Sequence, residues 1–176
     1  MRKMASTIFS MGLGFCAYSA FAQPAPQEAI EHYLEKGRTV LNQLALGSPD
    51  TVLIQDEITL MLELTKPVLT AYGQVRPQCQ EQLAMISDLL PEINSWEPLE
   101  IRRRIEAAQG LPQAQGCYPA RDVVAHPAIV RAIVRRGIDP SQQVRLVREM
   151  NEAVEHMEEI GGIFQSEVKT GFLENH

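Results

Sequence analysis

The chain has 176 residues and carries 22 acidic against 16 basic side chains, so its formal net charge at pH 7 is −6. This acidic balance argues against nucleic acid as the partner, because nucleic acids are bound by basic surfaces. The length is typical of one domain with a sizeable core. The sequence contains no Walker A loop, G-x-S-x-G motif or dinucleotide-binding fingerprint, so a non-enzymatic role is favoured over an enzyme.

Residues 1–22 have the pattern of a secretory signal peptide. Arg2 and Lys3 form a positive start, an apolar run follows, and residues 20–22 read Ala-Phe-Ala, a small-residue cleavage site. We therefore expect the mature chain to begin near Gln23. The compact basic start is more typical of a bacterial leader than of a eukaryotic one, which favours the periplasm over the outside of the cell. The mature protein is expected to be soluble. An uncleaved anchor is disfavoured, because a membrane span needs about 20 apolar residues and this run is shorter and interrupted.

The cysteines predict a structural disulfide. Cleavage would remove Cys16 and leave two cysteines, Cys79 and Cys117. An even number in an oxidising compartment favours their pairing, and the C-x-x-C motif of redox proteins is absent. A lipid anchor on Cys16 is disfavoured because this residue lies within the apolar run, directly after the bulky Phe15.

Beyond the leader, the hydrophobic residues recur with a helical period, and no segment shows the alternation of a half-buried strand. We predict a short linker over residues 23–26 and a single domain over residues 27–176. The predicted fold is all-α, an up-and-down bundle of five to six helices with one intrachain disulfide. No later segment is long and apolar enough to span a membrane.

A helix-ending residue and a helix-starting sequence separate the first two helices. Gly47 is expected to end the first helix, and Ser48, Pro49 and Asp50 then give an N-cap, a proline at the first helical position and an acid in the first turn. Pro67 is expected to kink the second helix. This helix carries a second apolar strip, which predicts a central position or a homodimer contact; the strip consists of Leu53, Leu60 and Leu64.

Four further helices are predicted. The third runs from Pro77 toward Ile93, and a short fourth covers residues 98–109, followed by a loop to residue 116. The fifth helix ends at Gly137, and a capping box over residues 139–142 starts the last one. Residues 97–148 are enriched in arginine and lie between two acidic segments. This pattern fits either oppositely charged helices packed side by side or an anion-binding face.

The segment after Cys117 is the first candidate site. It brings together Tyr118, Arg121, Asp122 and His126. On a helix, Asp122 and His126 are four residues apart and lie on one face, where the carboxylate can orient the imidazole for ligand binding or general-base chemistry. The alternative is structural. Pro127 disfavours a helical conformation at His126, the residue before it. In that case Asp122 would cap a turn and His126 would hydrogen-bond a backbone carbonyl.

The last helix carries the second candidate. Glu152 and His156 have the same four-residue spacing, and Glu28 with His32 repeats it on the first helix, so two helices of a bundle can supply a metal site with nitrogen and oxygen ligands. The spacing matches neither the di-iron Glu-x-x-His motif nor the zincin motif. The alternative for such a stripe is a solvated helix face.

These observations lead to one expected function and two alternatives. We expect an exported, non-enzymatic accessory protein that binds a periplasmic protein or a small ligand at residues 117–136, without a cofactor. The first alternative is a metal-binding bundle that uses its Glu/His pairs, and the second is a hydrolase of undefined type.

Overall fold

The computed structural model describes residues 24–108 and 116–169. Within these ranges all regular structure is helical, which confirms the prediction of an all-α bundle with one disulfide. The predicted signal peptide, the last residue of the predicted fourth helix and residues 110–115 of the predicted loop lie outside the described residues. The six helices are α1 (Pro26–Leu44), α2 (Thr51–Val75), α3 (Gln80–Ile93), α4 (Pro98–Ala107), α5 (Tyr118–Val134) and α6 (Gln143–Lys169).

The four long helices form a closed ring. Helix α1 packs against α2, α2 against α5, α5 against α6, and α6 returns to α1. The two shorter helices lie outside this ring, α3 mainly against α2 and α4 against α5. Helix α5 therefore has helices on three sides, which explains why most of its side chains are buried. At the α1–α6 contact, Gly37 allows a close approach, because a Cβ there would lie 2.7 Å from a methyl carbon of Val154.

Several helix ends differ from the predicted ones. Helix α1 ends at Leu44 rather than at Gly47. The N-cap of α2 is Asp50 rather than Ser48, because the Asp50 carboxylate accepts hydrogen bonds from the amides of Val52 and Leu53, each at 3.0 Å. Of the three leucines predicted as a second apolar strip on α2, Leu60 is exposed, whereas Leu53 and Leu64 are partly buried.

The ends around α5 and α6 also shift by a few residues. Helix α5 ends at Val134, and the chain leaves it through Gly137, whose φ of 97° favours glycine. The predicted start of the last helix is a 3₁₀ turn, Pro140–Gln142, capped by Asp139. A similar 3₁₀ turn, Pro77–Cys79, precedes α3.

Helix α5 continues through Pro127, where the sequence suggested an interruption. Proline has no amide hydrogen, so the carbonyl of Val123, four residues earlier, loses its helical donor. The hydroxyl of Tyr33 on α1 replaces that donor and hydrogen-bonds the Val123 oxygen at 2.7 Å. Both residues are fully buried. A contact between helices thus completes the hydrogen bonding of α5 and keeps His126 on a regular helix.

A disulfide joins Cys79 to Cys117, with an S–S distance of 1.98 Å and a Cα–Cα distance of 5.5 Å. It connects the turn before α3 to the residue before α5. The Tyr72 hydroxyl on α2 donates a hydrogen bond to the neighbouring Gly116 carbonyl at 2.6 Å, so the start of α5 is fixed twice. Among the described helices, none contains an apolar stretch long enough to cross a membrane.

Candidate functional site

An open cleft of about 350 Å³ lies between α4, α5 and α6. Only three of its lining residues are apolar and seven are charged, which distinguishes it from the hydrophobic pockets that bind most organic ligands. Three arginines and four carboxylates line the cleft together with His126. The arginines are Arg102, Arg121 and Arg148, and the acids are Glu106, Asp122, Glu149 and Glu152.

The structure joins the two candidate sites into one. Helices α5 and α6 are neighbours that run in opposite directions, so each acid lies beside the histidine of the other pair. Asp122 Oδ2 is 3.8 Å from His156 Nε2, and Glu152 Oε2 is 3.4 Å from His126 Nδ1. The imidazole rings of His126 and His156 stack with centroids 5.8 Å apart. The pair Glu28 and His32 on α1 is not part of this cluster.

The imidazole of His126 is oriented by an acid that the sequence placed on the stripe with Glu152 and His156 but did not assign to His126. Its Nδ1 lies 2.8 Å from Glu149 Oε2, one turn before Glu152 on α6. Glu149 is only 3% exposed and is also 3.5 Å from the guanidinium groups of Arg102 and Arg145. The hydrogen bond with His126 is the main cause that lowers the pKa of Glu149, and the two arginines lower it further against the effect of burial. Glu149 is therefore an ionised acceptor at neutral pH.

Asp122 has a different partner from the expected one. Its two oxygens accept hydrogen bonds from Nε and Nη2 of Arg121, at 2.6 and 2.9 Å. The side chain is partly buried and lines the cleft with His126. A binding site at these residues would need this partial exposure. The sequence suggested that Asp122 would orient His126. In the structure this role falls to Glu149, and Asp122 faces His156.

Besides the stacked ring of His126, three further groups contact His156. Its Nε2 faces Asp122, its Nδ1 is 3.8 Å from Glu159 Oε2, and the ring of Tyr118 packs edge-on against it at a centroid distance of 5.5 Å. Tyr118 is half-exposed and lies directly after the disulfide. The disulfide therefore anchors one wall of the histidine cluster.

Two groups of side chains in the described residues place metal-ligand atoms within 4.8 Å of one another. Asp122, His126 and His156 form the first group, and His126, Glu149 and Glu152 form the second. In the second group the 2.8 Å contact between His126 and Glu149 is a hydrogen bond, so the two atoms that face each other already serve as donor and acceptor. The first group is the better candidate for an ion, because both histidines there have an acid beside Nδ1.

That arrangement has a known chemical consequence. A histidine that binds a metal through one ring nitrogen usually donates the N–H of the other to a carboxylate. Glu149 accepts the Nδ1–H of His126, which leaves Nε2 of that ring as the ligand atom. Glu159 stands beside Nδ1 of His156, and Nε2 of His156 faces Asp122. Two imidazoles and one carboxylate form a ligand set suited to divalent transition metals, with coordination positions left open.

Sequence reasoning found Asp122, His126, Glu152 and His156 but assigned them to two sites. It missed Glu149 and Arg102 as partners of the site. The one available signal for Glu149 was its place on the stripe with Glu152 and His156, one turn before Glu152. A stripe of this kind usually faces solvent, whereas here the packing of α5 against α6 and the Arg102 side chain from α4 cover this acid.

No protein-family model matches the sequence, and no curated protein or solved structure matches it significantly.

Proposed function

We propose that this chain is an exported binding protein that holds one divalent transition-metal ion between α5 and α6. The ligands are Asp122, His126 and His156, and Glu149 orients His126. The observation that carries the proposal is the convergence of these two histidines and one acid from two helices, with their donor atoms within 4.8 Å of one another. The ligand-binding role expected for residues 117–136 and the metal-binding alternative thus become a single function.

The distances support an ion of this size. Donor atoms bound to tetrahedral zinc at about 2.0–2.1 Å lie roughly 3.3 Å from one another. The separation of Asp122 Oδ2 and His156 Nε2 is 3.8 Å, so this pair needs only a small inward shift to bind one ion. Asp122 can keep Arg121 on one oxygen while the other oxygen binds the metal, because a carboxylate accepts on both.

Export to the periplasm is part of the proposal. The signal-peptide pattern of residues 1–22 supports it, and a disulfide is typical of an oxidising compartment. Mass spectrometry of protein recovered from the periplasm should then show a chain that begins at or near Gln23. Recovery of soluble protein with Met1 intact would contradict this part of the proposal.

The metal site can be tested by calorimetric titration of the purified protein with Zn²⁺. We expect one ion per chain, with the affinity reduced at least tenfold by Asp122→Asn or His156→Ala, since even the removal of a group that only supports a ligand costs 10- to 100-fold. The matched control is His32→Ala, which removes an exposed histidine of α1 and should leave the affinity unchanged.

Glu152→Gln distinguishes the two groups of ligands. If the ion occupies the first group, this variant keeps most of the affinity, because Glu152 is not a member of that group. If Glu152→Gln abolishes binding and Asp122→Asn does not, the assignment of ligands is wrong. Absence of saturable binding to the unmodified protein would overturn the proposed function.

A further inference from the structure

We propose that the cleft beside the metal site binds a small oxyanion, and that it does so only when the metal is present. This inference rests on the proposed function, since the ion is one of the two groups that hold the anion. The ligand class is a phosphate or a carboxylate, either free or as one end of a small molecule that fits the cleft of about 350 Å³.

The net charge of the cleft favours anion binding only when the metal ion is present. With three arginines and four carboxylates in its wall, the cleft without metal carries a net charge of about −1 and does not attract anions. A divalent ion changes this to about +1. Because the metal binds Asp122, it also takes over part of the charge that now neutralises Arg121. Metal binding thus turns a balanced set of ion pairs into a site with excess positive charge.

Two of the three arginines have N–H groups available to bind an anion. Arg102 and Arg148 are 51% and 68% exposed, and each is separated from its carboxylate by a long distance, 3.5 Å to Glu149 and 3.9 Å to Glu152. Such pairs are weak, and most of the five N–H groups of each guanidinium remain available. A planar fork of donors matches the oxygens of phosphate and carboxylate groups.

The ion and the arginines face the same space. Asp122 and His126, two of the three proposed metal ligands, line the cleft along with Arg102, Arg121 and Arg148. A set of three protein ligands leaves at least one coordination position for an exogenous ligand. An oxyanion in the cleft can therefore contact the ion through one oxygen and the arginines through the others. The arginine-rich segment over residues 97–148 supplies all three of these arginines.

With Co²⁺ as the metal, metal binding and anion binding can be observed separately in the visible spectrum. The protein is loaded with one equivalent of Co²⁺, its visible spectrum is recorded, and inorganic phosphate or acetate is then titrated in at constant ionic strength. We expect a saturable change in the Co²⁺ bands with at least one of the two anions. Calorimetric titration of the same anions into metal-free protein should show an affinity at least tenfold lower.

Two arginine variants provide the matched comparison. Arg148→Gln removes a cleft arginine and should weaken anion binding several-fold while leaving the Co²⁺ spectrum before titration unchanged. Arg103→Gln removes a neighbouring arginine of α4 that does not line the cleft, and it should behave like the unmodified protein.

The outcomes separate this inference from the proposed function. If Co²⁺ binds and neither anion changes the spectrum, the inference is wrong and the metal site stands. If metal-free protein binds the anion as tightly as loaded protein, the dependence on metal is wrong. If Arg148→Gln and Arg103→Gln change the anion affinity equally, the assignment of the cleft arginines to the anion site is wrong. Failure of Co²⁺ to bind would overturn the proposed function itself.

Discussion

Glu149 combines burial with a full negative charge. A buried carboxylate is costly unless it is paired, and the partners here come from three helices: Arg102 from α4, His126 from α5 and Arg145 from α6 itself. Glu149 therefore connects α4, α5 and α6 at the cleft that it lines. Its stability contribution depends on its ionisation.

We predict a pH-dependent stability difference between the unmodified protein and Glu149→Gln. The pKa of Glu149 is lower in the folded protein than in the unfolded chain, mainly because of the hydrogen bond with His126. The carboxylate thus stabilises the fold at pH values above its ordinary pKa, and this contribution disappears as the pH falls through the lowered value. At neutral pH the variant should lose about 1–3 kcal/mol of unfolding free energy, measured by urea denaturation in the presence of a chelator.

The control for this measurement is Glu158→Gln. Glu158 lies on the same helix but is half-exposed and 3.6 Å from Arg38, an ion pair of little energetic weight. Its replacement should change stability only slightly at any pH. A constant stability difference for Glu149→Gln between neutral and strongly acidic pH would contradict the role assigned to its charge.

Single residues of the site were predictable where local spacing decides their position. Asp122 with His126, and Glu152 with His156, were found because residues four apart share a helix face. Their partners were not predictable in this way. Which acid meets which histidine depends on the register of α5 against α6, and this register is fixed by packing between helices. Local spacing suggested Asp122 as the partner of His126, whereas that packing places Glu149 there.

Helix α5 shows how a neighbouring helix can remove a local break. The sequence rule for the residue before a proline predicts an interruption at His126. The buried Tyr33 hydroxyl of α1 compensates by donating to the Val123 carbonyl, so the helix and the position of His126 depend on α1. Burial raises the pKa of Tyr33 well above its ordinary value, and the hydroxyl is therefore a permanent donor.

A double-mutant cycle tests this compensation. Tyr33→Phe should lower the unfolding free energy by about 1–3 kcal/mol, because it leaves a buried carbonyl without a partner. In a Pro127→Ala background the restored amide can donate to Val123, so the same substitution should cost less there. Denaturant unfolding of the four proteins gives the coupling energy.

Tyr72→Phe is the matched control for this cycle. It removes a hydroxyl that donates to the Gly116 carbonyl, away from Pro127, so its cost should be the same in both backgrounds. If Tyr33→Phe also costs the same in both, Tyr33 does not substitute for the amide that Pro127 lacks.

The existence of the helices was predictable, and some of their ends were not. A hydrophobic period of 3.6 residues identifies a buried helix face wherever that face occurs. Helix starts depend on finer choices. Ser48 and Asp50 are both good N-caps, and the sequence does not rank them; in the folded chain the Asp50 carboxylate accepts from two amides, while its own amide donates to the Gln43 side chain at 3.2 Å.

The disulfide links parts of the chain that are 38 residues apart. Closing a loop of that length lowers the entropy of the unfolded chain and stabilises the fold by about 4 kcal/mol in the chain-entropy model. We predict that the double variant Cys79→Ser with Cys117→Ser loses up to this amount in urea denaturation. Its far-ultraviolet circular dichroism at low temperature should stay helical, because the helices have apolar faces of their own.

The unmodified protein in reductant is the control, and it should unfold like the double variant. A double variant as stable as the oxidised protein would show that the link contributes nothing. A double variant without helical signal would show that the link is needed for the fold itself.

The ring of four helices imposes an order in time on a chain made from its amino terminus. Helix α1 obtains its first neighbour, α2, almost at once, but its second neighbour is α6, which is made after the other five described helices. The closed ring therefore cannot exist on a nascent chain that lacks α6. The same helix brings His156 to Asp122 and Glu149 to His126. Completion of the core and completion of the candidate site are therefore one event, and both must wait until α6 has been made.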